Sequence, residues 1–119
     1  MAARKATKTR SAASCGCGTQ DKSRKALAVD PEIKVSNLKR LRRIEGQVRG
    51  LQRLVDEDRY CADILVQISS VQEALRSVGR ALMKNHLRHC ASQAMRDATP
   101  GRAEAMHEEL LNLMELHSR

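Results

Sequence analysis

The stretch from Tyr60 to Cys90, YCADILVQISSVQEALRSVGRALMKNHLRHC, decides the fold. Ile64, Leu65, Ile68, Val71, Leu75, Val78, Leu82, Leu87 and Cys90 recur at helical spacing, and no proline follows until Pro100. The pattern predicts a helix over 60–96, roughly 55 Å long at ~1.5 Å per residue. One short neighbour cannot cover a helix of that length. It needs a second copy of the chain.

Upstream, Leu41, Ile44, Val48, Leu51 and Val55 predict an amphipathic helix over about 36–56. At ~100° per residue these five share an arc of roughly 80°. Lys39, Arg42, Arg43, Arg49 and Arg53 share roughly 120° on the opposite side, with Arg40 flanking them. The acidic run Asp56-Glu57-Asp58 ends this helix. Downstream, Thr99-Pro100 reads as an N-cap and first helical residue. Met106, Leu110, Leu113, Met114 and His117 then mark a short third helix. The β-branched residues all fall within helical patterns, so the class is all-α. Each protomer has three helices, the long central one pairing antiparallel with its copy as a helical bundle. Residues 1–34 read as a disordered basic tail, and 35–119 as the helical domain.

The charge points to a polyanion. Twenty-two Lys and Arg oppose 14 Asp and Glu, for a formal +8. The tail supplies +5 of it, from Arg4, Lys5, Lys8, Arg10, Lys22, Arg24, Lys25 and Lys34 against Asp21, Asp30 and Glu32. Tyr60 is the one aromatic residue, which argues against single-strand binding by base stacking. Double-stranded DNA held by its phosphates is the expected partner. No apolar run reaches the ~20 residues of a membrane span, and no signal-peptide pattern precedes the helices. A cytoplasmic location with reduced thiols is therefore expected. No orienting third group or oxyanion loop accompanies the Cys and His residues, so an enzyme is not expected.

Cys61, His86 and Cys90 carry the chemistry. His86 and Cys90, four residues apart on one helix, leave the same face and form half a metal site. Cys61 lies 25 residues before His86, about 37 Å away along a straight helix. The three meet only between chains, when two central helices pair antiparallel about an axis near Ala74 and Leu75. The two-fold symmetry then makes two identical sites. Two thiolates and one imidazole suit Cu(I), whereas zinc normally wants four ligands. Arg88 and His89 are expected to face solvent. Cys15 and Cys17, in the tail, match no standard zinc spacing.

The run Leu38–Gly50 (LKRLRRIEGQVRG), then Tyr60-Cys61, then Asn85–Cys90 (NHLRHC), closely resembles the CsoR family of copper-sensing transcriptional repressors. The likeness covers roughly 36–117. Within that family the Cys-His-Cys set resembles the Cu(I) branch. The resemblance implies a homodimer that assembles further into a homotetramer, a dimer of dimers. It also implies operator DNA bound by the apo protein and released with Cu(I). It further implies outer-shell hydrogen bonds to the metal ligands from Tyr60 and Glu109, with Glu108 adjacent, and favours Arg40 as a DNA contact. Two other readings stay open: a thiol-based sensor working through Cys61 and Cys90, and a metal-independent architectural DNA-binding protein.

Overall fold

The computed structural model describes residues 24–118, and every regular element among them is helical. Helix α1 spans Pro31–Asp56 and α2 spans Cys61–His86. A single π turn, Leu87–Ala91, carries α2 into α3, Ser92–Arg96, and α4 spans Arg102–Ser118. Most of the 1–34 segment, Cys15 and Cys17 included, lies outside the described residues.

Helix α1 starts within that segment, five residues ahead of the start expected at about residue 36. The signal is Pro31 at the first helical position, whose fixed φ suits a helix start. Asp30 precedes it in an extended conformation, φ −62° and ψ 122°. Apolar periodicity is blind to both. The connection to α2 is short because Asp58 takes a left-handed conformation, φ 53°, which Asp tolerates better than most residues. The amides of Glu57 and Arg59 close the helix end on the carbonyls of Arg53 and Leu54, at 2.9 and 3.0 Å.

The expected central helix is present, but it is not α-helical throughout. Its π turn widens the backbone at the Leu87–Ala91 step, where hydrogen bonds skip to the fifth residue. The Ser92 hydroxyl donates to the Leu87 carbonyl at 2.9 Å, which supports a ladder that the wider turn interrupts.

Thr99-Pro100 does not start the third helix. Asp97 builds a turn instead: its Oδ1 accepts from the Thr99 amide at 2.9 Å and the Thr99 hydroxyl at 2.7 Å. Those bonds hold its carboxyl below the usual carboxylate range. Gly101 then adopts φ 82° before α4 begins. A Cβ at Gly101 would meet nothing within 4 Å, so Gly101→Ala costs backbone strain alone. About 1–2 kcal/mol of stability is the expected loss, read as a lower urea midpoint.

Ile44 of α1 packs on Val71 and Val78 of α2, with Leu51 and Ala74 against them. Among the described residues five apolar side chains are buried, whereas 18 large ones stand exposed. So small a core is marginal on its own.

Candidate metal centre and nucleic-acid surface

His86 closes α2 and Cys90 sits in the π turn, so both side chains reach one cavity of about 310 Å³. Glu109 and Met106 of α4 line its far side, and Arg24–Leu27 of the chain ahead of α1 cover it. The His86 Nε2 is buried without a hydrogen-bond partner. Glu109 Oε1 stands 3.9 Å from it, beyond hydrogen-bond range. Glu108, by contrast, is exposed. The Arg24 guanidinium also lies 3.9 Å from Glu109 Oε1.

Cys61 is not part of this cluster. It opens α2 at the opposite end, exposed, next to an exposed Tyr60. No group of three metal-binding side chains forms within one chain among the described residues. The geometry does connect the two ends in another way. Cys61, Leu65, Ile68, Gln72, Leu75, Gly79, Leu82 and His86 follow one another at alternating spacings of four and three, the signature of a helix-pairing seam. That seam lies roughly 80° round α2 from the face that Val71 and Val78 bury. Leu65, Ile68, Leu75 and Leu82 along it are all exposed.

The basic set divides by partner. All six residues, Lys39, Arg40, Arg42, Arg43, Arg49 and Arg53, are exposed on α1. Arg49 pairs with Glu45 at 2.9 Å and Arg40 donates to the Ser77 hydroxyl at 3.2 Å. Lys39, Arg42, Arg43 and Arg53 pair with no carboxylate among the described residues. Arg76 and Arg80 of α2 both engage Glu73, at 3.6 and 3.1 Å, so they add less to this surface than their charge suggests.

The sequence reading missed what Arg88 and His89 do. Both bond to Asp30, at 3.1 and 2.8 Å, and His89 is half-buried. These contacts span 58 and 59 positions of chain, a separation no local pattern reports.

A family model for the metal-sensitive transcriptional repressor matches residues 34–116. The copper-sensing transcriptional repressor RicR of Mycobacterium tuberculosis is 56% identical over 63 residues, 53% of this chain and 66% of that protein's length. The copper-sensing repressor CsoR of Bacillus subtilis is 50% identical over 74 residues, 62% of this chain and 70% of that one. Among solved structures, Cu(I)-bound CsoR from Geobacillus thermodenitrificans superposes with a TM-score of 0.66 at 43% identity. That match covers 78% of this chain and 94% of the other. A variant of the formaldehyde-responsive regulator FrmR from Salmonella enterica matches at 0.59 and 28% identity, over 76% and 99% of the two chains.

Proposed function

Because the chain belongs to the metal-sensitive transcriptional repressor family, we propose that it is a Cu(I)-responsive repressor, bound to operator DNA when apo and released by the metal. The observation that carries this reading is the His86–Cys90 cavity. A buried imidazole nitrogen without a partner is costly unless something completes it, and Glu109 is the group it faces.

The donor set fits the metal. Nε2 is aimed at Glu109, which leaves Nδ1 of His86 as the metal-facing atom. A ligating histidine is ordinarily held by giving its other N–H to a carboxylate, and Glu109, 3.9 Å away, closes that gap when the site is filled. Cys90 adds a thiolate from the same cavity. The third donor, Cys61, comes from the partner chain when two seams pair antiparallel. That register sets residue 61 against 86, 65 against 82, 68 against 79 and 72 against 75. It buries the leucines and brings Tyr60, as an outer-shell group, beside the site. Two thiolates and an imidazole supply soft donors that select Cu(I) over harder ions.

The protein's own part in release is mechanical. Cys61 is joined to α1 by the short 57–60 connection, and His86 and Cys90 lead through α3 to α4. Drawing the two ends together across the seam shifts α1, and with it the cationic face formed by Lys39, Arg40, Arg42, Arg43, Arg49 and Arg53. Phosphate contacts of this kind give affinity without base choice, so operator selectivity comes from DNA shape, a few base contacts, or symmetric spacing across the assembled dimers.

The test is a gel shift on the DNA upstream of the protein's own gene, with and without one equivalent of Cu(I) in anaerobic, reducing buffer. Retention of the shift at full metal loading counts against the proposal. A second measurement addresses the surface. Arg42→Ala or Arg43→Ala weakens binding across all sequences and lowers the salt slope by about one unit each. Binding isotherms over a salt series check this.

A further inference from the structure

The chain ahead of α1 is fastened to the turn that carries the metal half-site. Asn85 is buried, and both ends of its amide are used: Nδ2 donates to the Ala28 carbonyl and Oδ1 accepts from the Asp30 amide, each at 3.0 Å. The Asp30 carboxylate in turn takes Arg88 at 3.1 Å and His89 at 2.8 Å. The His89 hydrogen bond, then Arg88, hold its carboxyl below the usual range.

Asp30 occupies the N-cap position of α1, where an Asp side chain ordinarily accepts from the helix's own first amides. Here it makes no such bond. Its capacity goes to a tertiary contact instead, which costs α1 a local cap and fixes where α1 begins. Five of the six side chains from Asn85 to Cys90 thus divide between two tasks. His86 and Cys90 turn into the cavity, whereas Asn85, Arg88 and His89 turn to the start of α1. All belong to the π turn or the residues leading into it, so a rotation that gathers His86 and Cys90 around a ligand must also carry Asn85, Arg88 and His89.

We propose that Asp30 and Asn85 are positioning residues that couple the His86–Cys90 half-site to the DNA-facing helix. The clasp holds α1 at its start, and the Ile44 contact with Val71 and Val78 serves as its pivot. Lys39, Arg42 and Arg43 lie between those two points. Movement at the clasp therefore tilts the cationic face, with no contact between Asp30 or Asn85 and either metal or DNA. This inference rests on the copper-release reading above. It adds the element that both sites bias, the physical requirement for coupling between them.

The experiment uses full-length protein and three readouts: Cu(I) affinity by chelator competition, operator affinity of the apo form, and operator affinity at full metal loading. For Asp30→Ala and Asn85→Ala the first two stay near wild type, whereas the ratio of the last two falls at least tenfold. Asp30 is half-buried, with 27% of its side chain exposed, and lies outside the Ile44–Val71–Val78 core, so its substitution guards against Asn85→Ala acting through instability. A merely structural role would lower the melting temperature and leave the ratio untouched. If wild-type protein fails to bind Cu(I) or to release DNA, the copper reading falls and the coupling with it. If wild type responds and both variants keep the full ratio, the clasp alone is overturned.

Discussion

Cys90→Ala and His86→Ala bind operator DNA as the wild-type apo protein does, and Cu(I) no longer releases it. Neither side chain belongs to the cationic face of α1, so removing it takes no phosphate contact away. Each removes one of the two proposed metal donors of the 310 Å³ cavity. Two remaining soft ligands do not draw the chain ends together. Couplings of this kind are on the order of 1–3 kcal/mol, a 5- to 150-fold change in DNA affinity, and the whole of it is expected to vanish. Cys61→Ala behaves the same way although it stands at the far end of α2, because in the proposed site its partners are on the other chain. Operator titrations with and without Cu(I) decide the matter. Persistent release in all three variants would place the metal elsewhere. His86→Ala also separates copper from thiol chemistry, since an oxidant or sulfane-sulfur sensor working through Cys61 and Cys90 would retain its response without the imidazole.

The second large effect is on assembly. Leu75→Glu puts a carboxylate at the centre of the exposed seam, opposite Gln72 of the partner chain in the proposed register. Two-fold symmetry introduces it twice, and burying an unpaired carboxylate costs several kcal/mol each time. Leu75 is 46% exposed in the single chain, so the substitution disturbs little within the protomer. The expected result is dissociation to monomers in sedimentation velocity. Reduced helicity follows, because five buried apolar residues make a weak core. Copper affinity falls too, as each proposed site takes donors from both chains. A Leu75→Glu protein that remains dimeric would show that the seam is not where the copies meet.

Much of the fold is legible in the residues. The apolar spacing of 60–90 announces the long helix, and the opposed arcs of 36–56 announce one with a cationic back. Both signals are local and repeat every turn, so tertiary context has little to override. The candidate donors are legible for a similar reason: His86 and Cys90 share a face by spacing, and Cys61 is too far along the same rod to join them in one chain. The helix starts are less readable. Pro31 sets α1 by its ring geometry and Gly101 ends the turn before α4 by its left-handed backbone, while Thr99-Pro100 imitates a helix start that the Asp97 turn pre-empts. The π turn leaves no mark on hydropathy at all.

Composition and periodicity alone determined that the chain is helical, basic, poor in aromatics and furnished with Cys and His side chains toward the two ends of one helix. They could do so because charge and helical phase belong to short stretches of chain. The three-dimensional arrangement decided that Glu109 rather than Glu108 faces His86, that Arg49 is paired and Arg42, among the described residues, is not, and that Asp30 reaches across 59 positions to His89. Each depends on which way a side chain leaves one element and what another brings to meet it, and that is settled only when the elements pack.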